Sequence, residues 1–66
     1  MWQFEVRAEA GVGLGDLLRS FDTFEAAERY VLGKGVVDYE RDADHDGCAD
    51  AFLRYGVVVS INRVRA

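Results

Sequence analysis

A single cysteine, Cys48, in a chain of 66 residues decides how this protein must hold itself together. One thiol cannot form an internal disulfide, the staple on which small secreted folds with little core depend. Stability must come from apolar burial, at a length near the lower limit for which burial alone offsets the chain entropy lost on folding. The composition permits this, because half of the residues are hydrophobic and eight aromatic rings are spread from Trp2 to Tyr55. That content fits one globular domain spanning residues 1–66 and is too apolar for a disordered chain. The lone thiol also fits a reducing, cytoplasmic setting. The N-terminal Met-Trp-Gln-Phe-Glu lacks the continuous apolar run of a secretory signal. The longest aliphatic run, Val57–Val59, is far short of the roughly 20 apolar residues that span a bilayer.

Periodicity then assigns the elements. Trp2, Phe4, Val6 and Ala8 alternate with Gln3, Glu5, Arg7 and Glu9, the period of a strand with one buried face. Gly11, Gly13 and Gly15 mark a turn, after which Asp16–Phe21 reads as a second strand pairing back on the first. Asp22 with Glu25 forms a capping box, with Phe21 as hydrophobic staple, and predicts a helix from Thr23 to about Leu32. Phe24, Ala27 and Val31 form its buried stripe with Tyr30 at the edge, while Glu25, Glu28 and Arg29 face water. Gly33 and Gly35 stop the helix, and Lys34 between them suits the negative end of its dipole.

Val36–Arg41 reads as a strand with Val37 and Tyr39 inward, and Ala51–Tyr55 and Val57–Val64 read as a closing hairpin with Val57, Val59 and Ile61 inward. Gly47–Tyr55 also satisfies a short helix. The expected fold is α+β: a small antiparallel sheet of 3–5 strands covered by one helix, in the order ββαβββ or βαββ.

Charge is the second strong signal. Asp38 to Asp50, written DYERDADHDGCAD, holds six carboxylates and one arginine, net −5, whereas residues 1–37 carry −2 and residues 51–66 carry +3. Charge of one sign gathered in one place marks a partner of the opposite sign or a cation. A total of −4 with pI near 4.7 argues against direct nucleic-acid binding, which depends on Lys and Arg neutralising phosphates. On an extended segment Asp38, Glu40, Asp42, Asp44 and Asp46 would form a row of negative points about 6.6 Å apart, comparable in order of magnitude with the phosphates of a nucleic-acid strand at ~3.4 Å of axial rise each. Such a row suits a basic groove built for DNA or RNA, with Asp38, Glu40, Asp42, Asp44, Asp46 and Asp50 as the partner-binding residues.

Other constellations are incomplete. His45 and Cys48 lack the further ligands zinc requires and the orienting group a Cys–His nucleophile needs. GVGLG lacks the spacing of a dinucleotide fingerprint and the Gly-Lys-Ser/Thr of a phosphate-binding loop. No catalytic residues are nominated and no enzymatic activity or cofactor is expected. Asp42, Asp44, Asp46, Gly47 and Asp50 spell D-x-D-x-D-G-x-x-D, which resembles the first nine positions of the calcium loops of EF-hand and dockerin-like proteins. Leu53 occupies the twelfth position, where those loops place a bidentate glutamate. The resemblance implies a calcium site with Asp42, Asp44, Asp46 and Asp50 as side-chain ligands and the Cys48 carbonyl as a main-chain one.

A short acidic chain with a strand, a capped helix around SFDTFEAAERYV and a terminal hairpin also resembles the small proteins that phages and other mobile elements direct against host nucleic-acid machinery, anti-CRISPR proteins among them. That resemblance implies an inhibitor acting in the host cytoplasm, one that occupies the basic nucleic-acid site of a larger protein complex. A homodimer joined along an edge strand, for which the outward Val58 supplies the motive, is a third reading.

Overall fold

The computed structural model describes residues 1–9 and 15–66; Gly11 and Gly13 of the expected turn lie outside the described residues. Strands β1 (Trp2–Glu9) and β2 (Asp16–Phe21) precede helix α1 (Phe24–Leu32), followed by β3 (Asp38–Arg41), β4 (Ala49–Phe52), a 3₁₀ turn at Arg54–Gly56, and β5 (Val58–Arg65). The strands form one antiparallel sheet ordered β2-β1-β5-β4-β3, so the last strand lies in the middle. Helix α1 packs over β1, β2 and β5. This is the expected α+β architecture of an antiparallel sheet with one helix. Among the described residues no helix is long and apolar enough to cross a membrane.

The pairing of β1 with β5 runs unbroken from Trp2 opposite Arg65 to Glu9 opposite Val58. It sets Val6 against Ile61 and Ala8 against Val59 on the helix side, and β4 adds Ala49 beside Ile61 and Ala51 beside Val59. Val6, Val59, Ile61, Ala49 and Ala51 are buried with Ala27 and Val31 of α1, while Phe4, Phe21, Phe24, Tyr30, Tyr39 and Leu53 pack around them. Among the described residues no helix covers the opposite face of the sheet. That face carries Glu5 paired to Arg7 at 3.1 Å, and Ser60, whose hydroxyl accepts from the Asn62 amide at 3.0 Å. Ser60 is buried, and that bond satisfies it.

Several boundaries differ from expectation. The helix is capped by Thr23, whose Oγ1 accepts from the Ala26 N–H at 3.2 Å, and not by Asp22. β2 extends to Phe21, and the bend at Asp22 and Thr23 leaves Thr23 in the extended conformation (φ −130°, ψ 152°) that a cap residue needs. Val37 is 62 % exposed where an inward position was expected, because the chain is still bending there and β3 begins only at Asp38. Val57 is likewise exposed: β4 and β5 pair from Phe52 opposite Val58, which leaves Val57 in the connecting loop. That loop is closed by the Leu53 N–H donating to the Val57 carbonyl at 2.8 Å. Within Gly47–Tyr55 the structure forms strand at Ala49–Phe52 and leaves only the 3₁₀ turn beyond it, so the short-helix reading is set aside. The outward Val58 is half-buried on the open face.

Ile61 lies where the central ladder meets the helix and is 1 % exposed. Replacing it with alanine should remove about 2–5 kcal/mol of unfolding free energy, a large part of what a domain this size holds at ~0.05–0.15 kcal/mol per residue. Urea denaturation of I61A measures it, and an unchanged midpoint would contradict this core.

Candidate functional site: an acidic hairpin

The acidic tract folds as the β3–β4 hairpin and its connecting loop. Register places Asp38 opposite Phe52, Tyr39 opposite Ala51, Glu40 opposite Asp50 and Arg41 opposite Ala49. The pleat therefore turns Tyr39 and Arg41 toward the helix side, with buried Ala49 and Ala51, and sends Asp38, Glu40 and Asp50 to the open face. Glu40 and Asp50 are direct cross-strand neighbours of like charge, an arrangement that costs stability.

Beyond Arg41 the chain is not extended, so the continuous row expected from Asp38 to Asp46 ends at Glu40. Asp42 is the pivot. Its backbone N–H donates to the Cys48 carbonyl at 2.9 Å, its Oδ1 accepts from the Asp44 N–H at 2.9 Å, and its Oδ2 lies 3.1 Å from His45 Nδ1. The Asp44 N–H, with His45 assisting, holds the Asp42 carboxyl below its ordinary value. Gly47 then reverses the chain at φ +79°. A Cβ built there would lie 2.6 Å from Phe4 Cε1 and 3.2 Å from the Arg63 side chain, so the loop is seated against the end of β1 and β5. The six carboxylates are all exposed, but in two groups: Asp38, Glu40 and Asp50 on the flat sheet face, and Asp42, Asp44 and Asp46 on the loop.

The tract's one arginine is turned away from both groups. Arg41 reaches across the helix side and binds Glu28 of α1 with two bonds of 2.8 Å, Nε to Oε2 and Nη2 to Oε1. The Tyr39 hydroxyl donates to the same Oε2. The Arg41 guanidinium also stands 5.4 Å from the centre of the Phe24 ring. Glu28, expected to face water, has a side chain only 14 % exposed. The Arg41 hydrogen bonds, set against burial, hold the Glu28 carboxyl below the usual range. Burial, reinforced by the Glu28 charge, pushes the Tyr39 hydroxyl up to about 12. Gly47 stands at the turn position of the calcium-type motif, but nothing in that motif places it against Phe4, and Glu28 was expected to face water, away from the tract. A signal for Glu28 was present, since it follows buried Ala27 and stands one turn beyond half-buried Phe24, at the margin of the apolar stripe.

At the same end of the molecule Trp2, Phe4 and Phe24 line a groove of about 510 Å³ bordered by Asp22, Glu25 and Asp46. Arg63 and Arg65 stack on Trp2, at 4.4 and 5.2 Å from its ring centre. Of the residues expected to hold calcium, Asp50 belongs to β4, and the Cys48 carbonyl accepts the Asp42 N–H. Among the described residues no three of His, Cys, Asp or Glu gather as a metal site. No protein family matches the chain, and no curated protein or solved structure is similar enough to show a relationship.

The Glu28 cluster makes stability depend on pH at both extremes. Glu28 is more acidic folded than its ordinary 4.5, so its contribution is present above pH 4.5 and is lost as pH falls through the depressed value. Tyr39 is less acidic folded, so its contribution is present below pH 10 and is lost as pH rises toward about 12. E28Q should bring the Tyr39 titration, followed by ultraviolet absorbance, down from about 12 toward 10.0, and a titration unmoved by E28Q would refute the contact. G47A should cost about 1–3 kcal/mol, from the left-handed backbone and the forced contact with Phe4. Thermal unfolding equal to the parent protein would contradict the seated loop.

Proposed function

We propose that this chain is a small, non-enzymatic protein-binding module, an inhibitor of the anti-CRISPR type, whose acidic hairpin occupies the basic nucleic-acid-binding surface of a larger complex in the host cytoplasm. The observation that carries this reading is the pairing of Arg41 with Glu28. It turns the tract's one arginine, still exposed, to the helix side and pairs its charge with Glu28, so that it does not offset Asp38, Glu40 and Asp50 on the open face. Lysines and arginines placed to grip phosphates would meet carboxylates in two planes, a flat patch and a projecting loop. Self-repulsion within the patch, Glu40 against Asp50 above all, would be relieved by such a partner.

The test uses the tagged protein as bait in lysate of its native cell. A captured nucleic-acid-binding protein should be released by competing duplex DNA and by added salt. Reversal of Asp42, Asp44 and Asp46 to lysine should weaken capture by at least about tenfold while circular dichroism reports an intact fold. Equal capture by the reversed variant, or complexes indifferent to DNA, would remove the proposal.

Calcium binding by the same loop is the second reading. Its support is that Gly47, at the sixth position, has the positive φ such loops require, and that Asp42 already accepts from the Asp44 N–H. Calorimetric titration with Ca²⁺ decides it: no heat and no shift in melting temperature at millimolar metal would exclude the role.

A further inference from the structure

At the end of the molecule away from the acidic loop, the turn after α1 and the β4–β5 connection enclose a second groove, of about 460 Å³. Its apolar wall is made by Val36 and Val37 on one side and Leu53 and Val57 on the other, and its only charged lining residues are Lys34 and Arg54. In a chain of net −4, the charged residues among the described lining are both cations, with the exposed Asp38 following Val37 just outside it. Tyr55 follows Arg54 at its rim and is 99 % exposed. It is also the one non-glycine among the described residues with positive φ (φ 64°, ψ 25°). Left-handed Tyr55 and Gly56 together let the connection close with the Leu53 N–H on the Val57 carbonyl, and the turn holds the Tyr55 ring out in solvent. Tyrosine is among the residues enriched at binding hot spots.

The geometry points to a docking site for an extended peptide segment of a partner protein in which acidic and aliphatic residues alternate: aliphatic side chains between the valine and leucine walls, carboxylates on Lys34 and Arg54, and the Tyr55 ring closing over the peptide. Charge complementarity fixes the sign of the occupant. Concavity favours a peptide over a lipid surface, which would meet only the rim. A second copy of this chain is a distinct occupant, because its edge strand β2 presents exposed Leu17 and Leu18 beside Asp16, and a mass measurement separates it from a peptide. The site adjoins the open end of the β3–β4 hairpin and is separate from its acidic loop, and its test leaves Asp38–Asp50 unaltered.

Amide resonances of the ¹⁵N-labelled protein, titrated with the peptide acetyl-ELDLE-amide, read the contact directly. Saturable shifts confined to residues 34–37 and 53–57, absent with acetyl-KLKLK-amide, are expected. The double variant K34E/R54E should abolish them. Y55G, which relieves the left-handed backbone and therefore should not unfold the protein, should weaken them several-fold. No shifts at millimolar peptide, equal shifts with the basic peptide, or undiminished binding by K34E/R54E would overturn the assignment. Two other outcomes would overturn it in favour of a different occupant: sedimentation with phosphatidylserine vesicles that K34E/R54E eliminates, or a concentration-dependent mass above 7.4 kDa that the same variant returns to monomer.

Discussion

The ladder between β1 and β5 is the constraint on which the remaining structure rests. It joins the two longest strands, eight residues each, and puts Val6, Val59 and Ile61 where α1 covers them. With no disulfide available, this ladder is the main tie between the first part of the chain and the last, and α1 packs across both of its strands. β2 then pairs only to β1, and β3 only to β4, so both edges take their position from this centre. The tilt of α1 follows as well, because Ala27 and Val31 must lie over that ladder while Phe21 meets Tyr30 at 5.3 Å and Phe4 meets Phe24 at 6.1 Å.

The acidic hairpin shows how a small fold accommodates crowded charge. Its interior side is neutralised by Arg41, Glu28 and Tyr39, three side chains from two elements sharing one carboxylate. Its exterior keeps six carboxylates with His45 as the only neighbouring counter-group in a salt bridge among the described residues. An exposed pair of that kind contributes little. The repulsion is tolerated because β3 is short and Asp42 and Gly47 bend the loop early, which splits the charges between two planes. A longer, straighter hairpin would have aligned them.

Much of this could be read from the residues, and the failures share a cause. Strand β1, the helix and its buried stripe follow from periodicities of two and 3.6 that the side chains of residues 2–8 and 24–31 state openly, and the second strand from the glycine-rich turn before it. The boundaries at Val36 and Val57 are misplaced where the apolar pattern continues past the point at which a partner strand covers it, whereas β4 begins at Ala49, two residues before the expected Ala51, within the acidic tract. Single-residue patterns do not carry register. The nominated site residues are all exposed, as a row of aspartates suggests, but their division follows from a hydrogen bond between Asp42 and Asp44 and from the fit of Gly47 against Phe4. Glu28 was misread because amphipathicity treats every carboxylate as solvent-facing, while an arginine 13 positions away gave this one a partner.

The placement of β5 in the middle of the sheet has a consequence for biogenesis. Before residues 58–65 leave the ribosome, the chain can form only two detached hairpins tethered by a helix, each with a vacant flank where the missing strand belongs. That slot is wide enough for one strand, so β5 of a neighbouring nascent copy would compete for it, and synthesis on crowded polysomes would favour strand-exchanged assemblies wherever a chain is slow to insert its own β5.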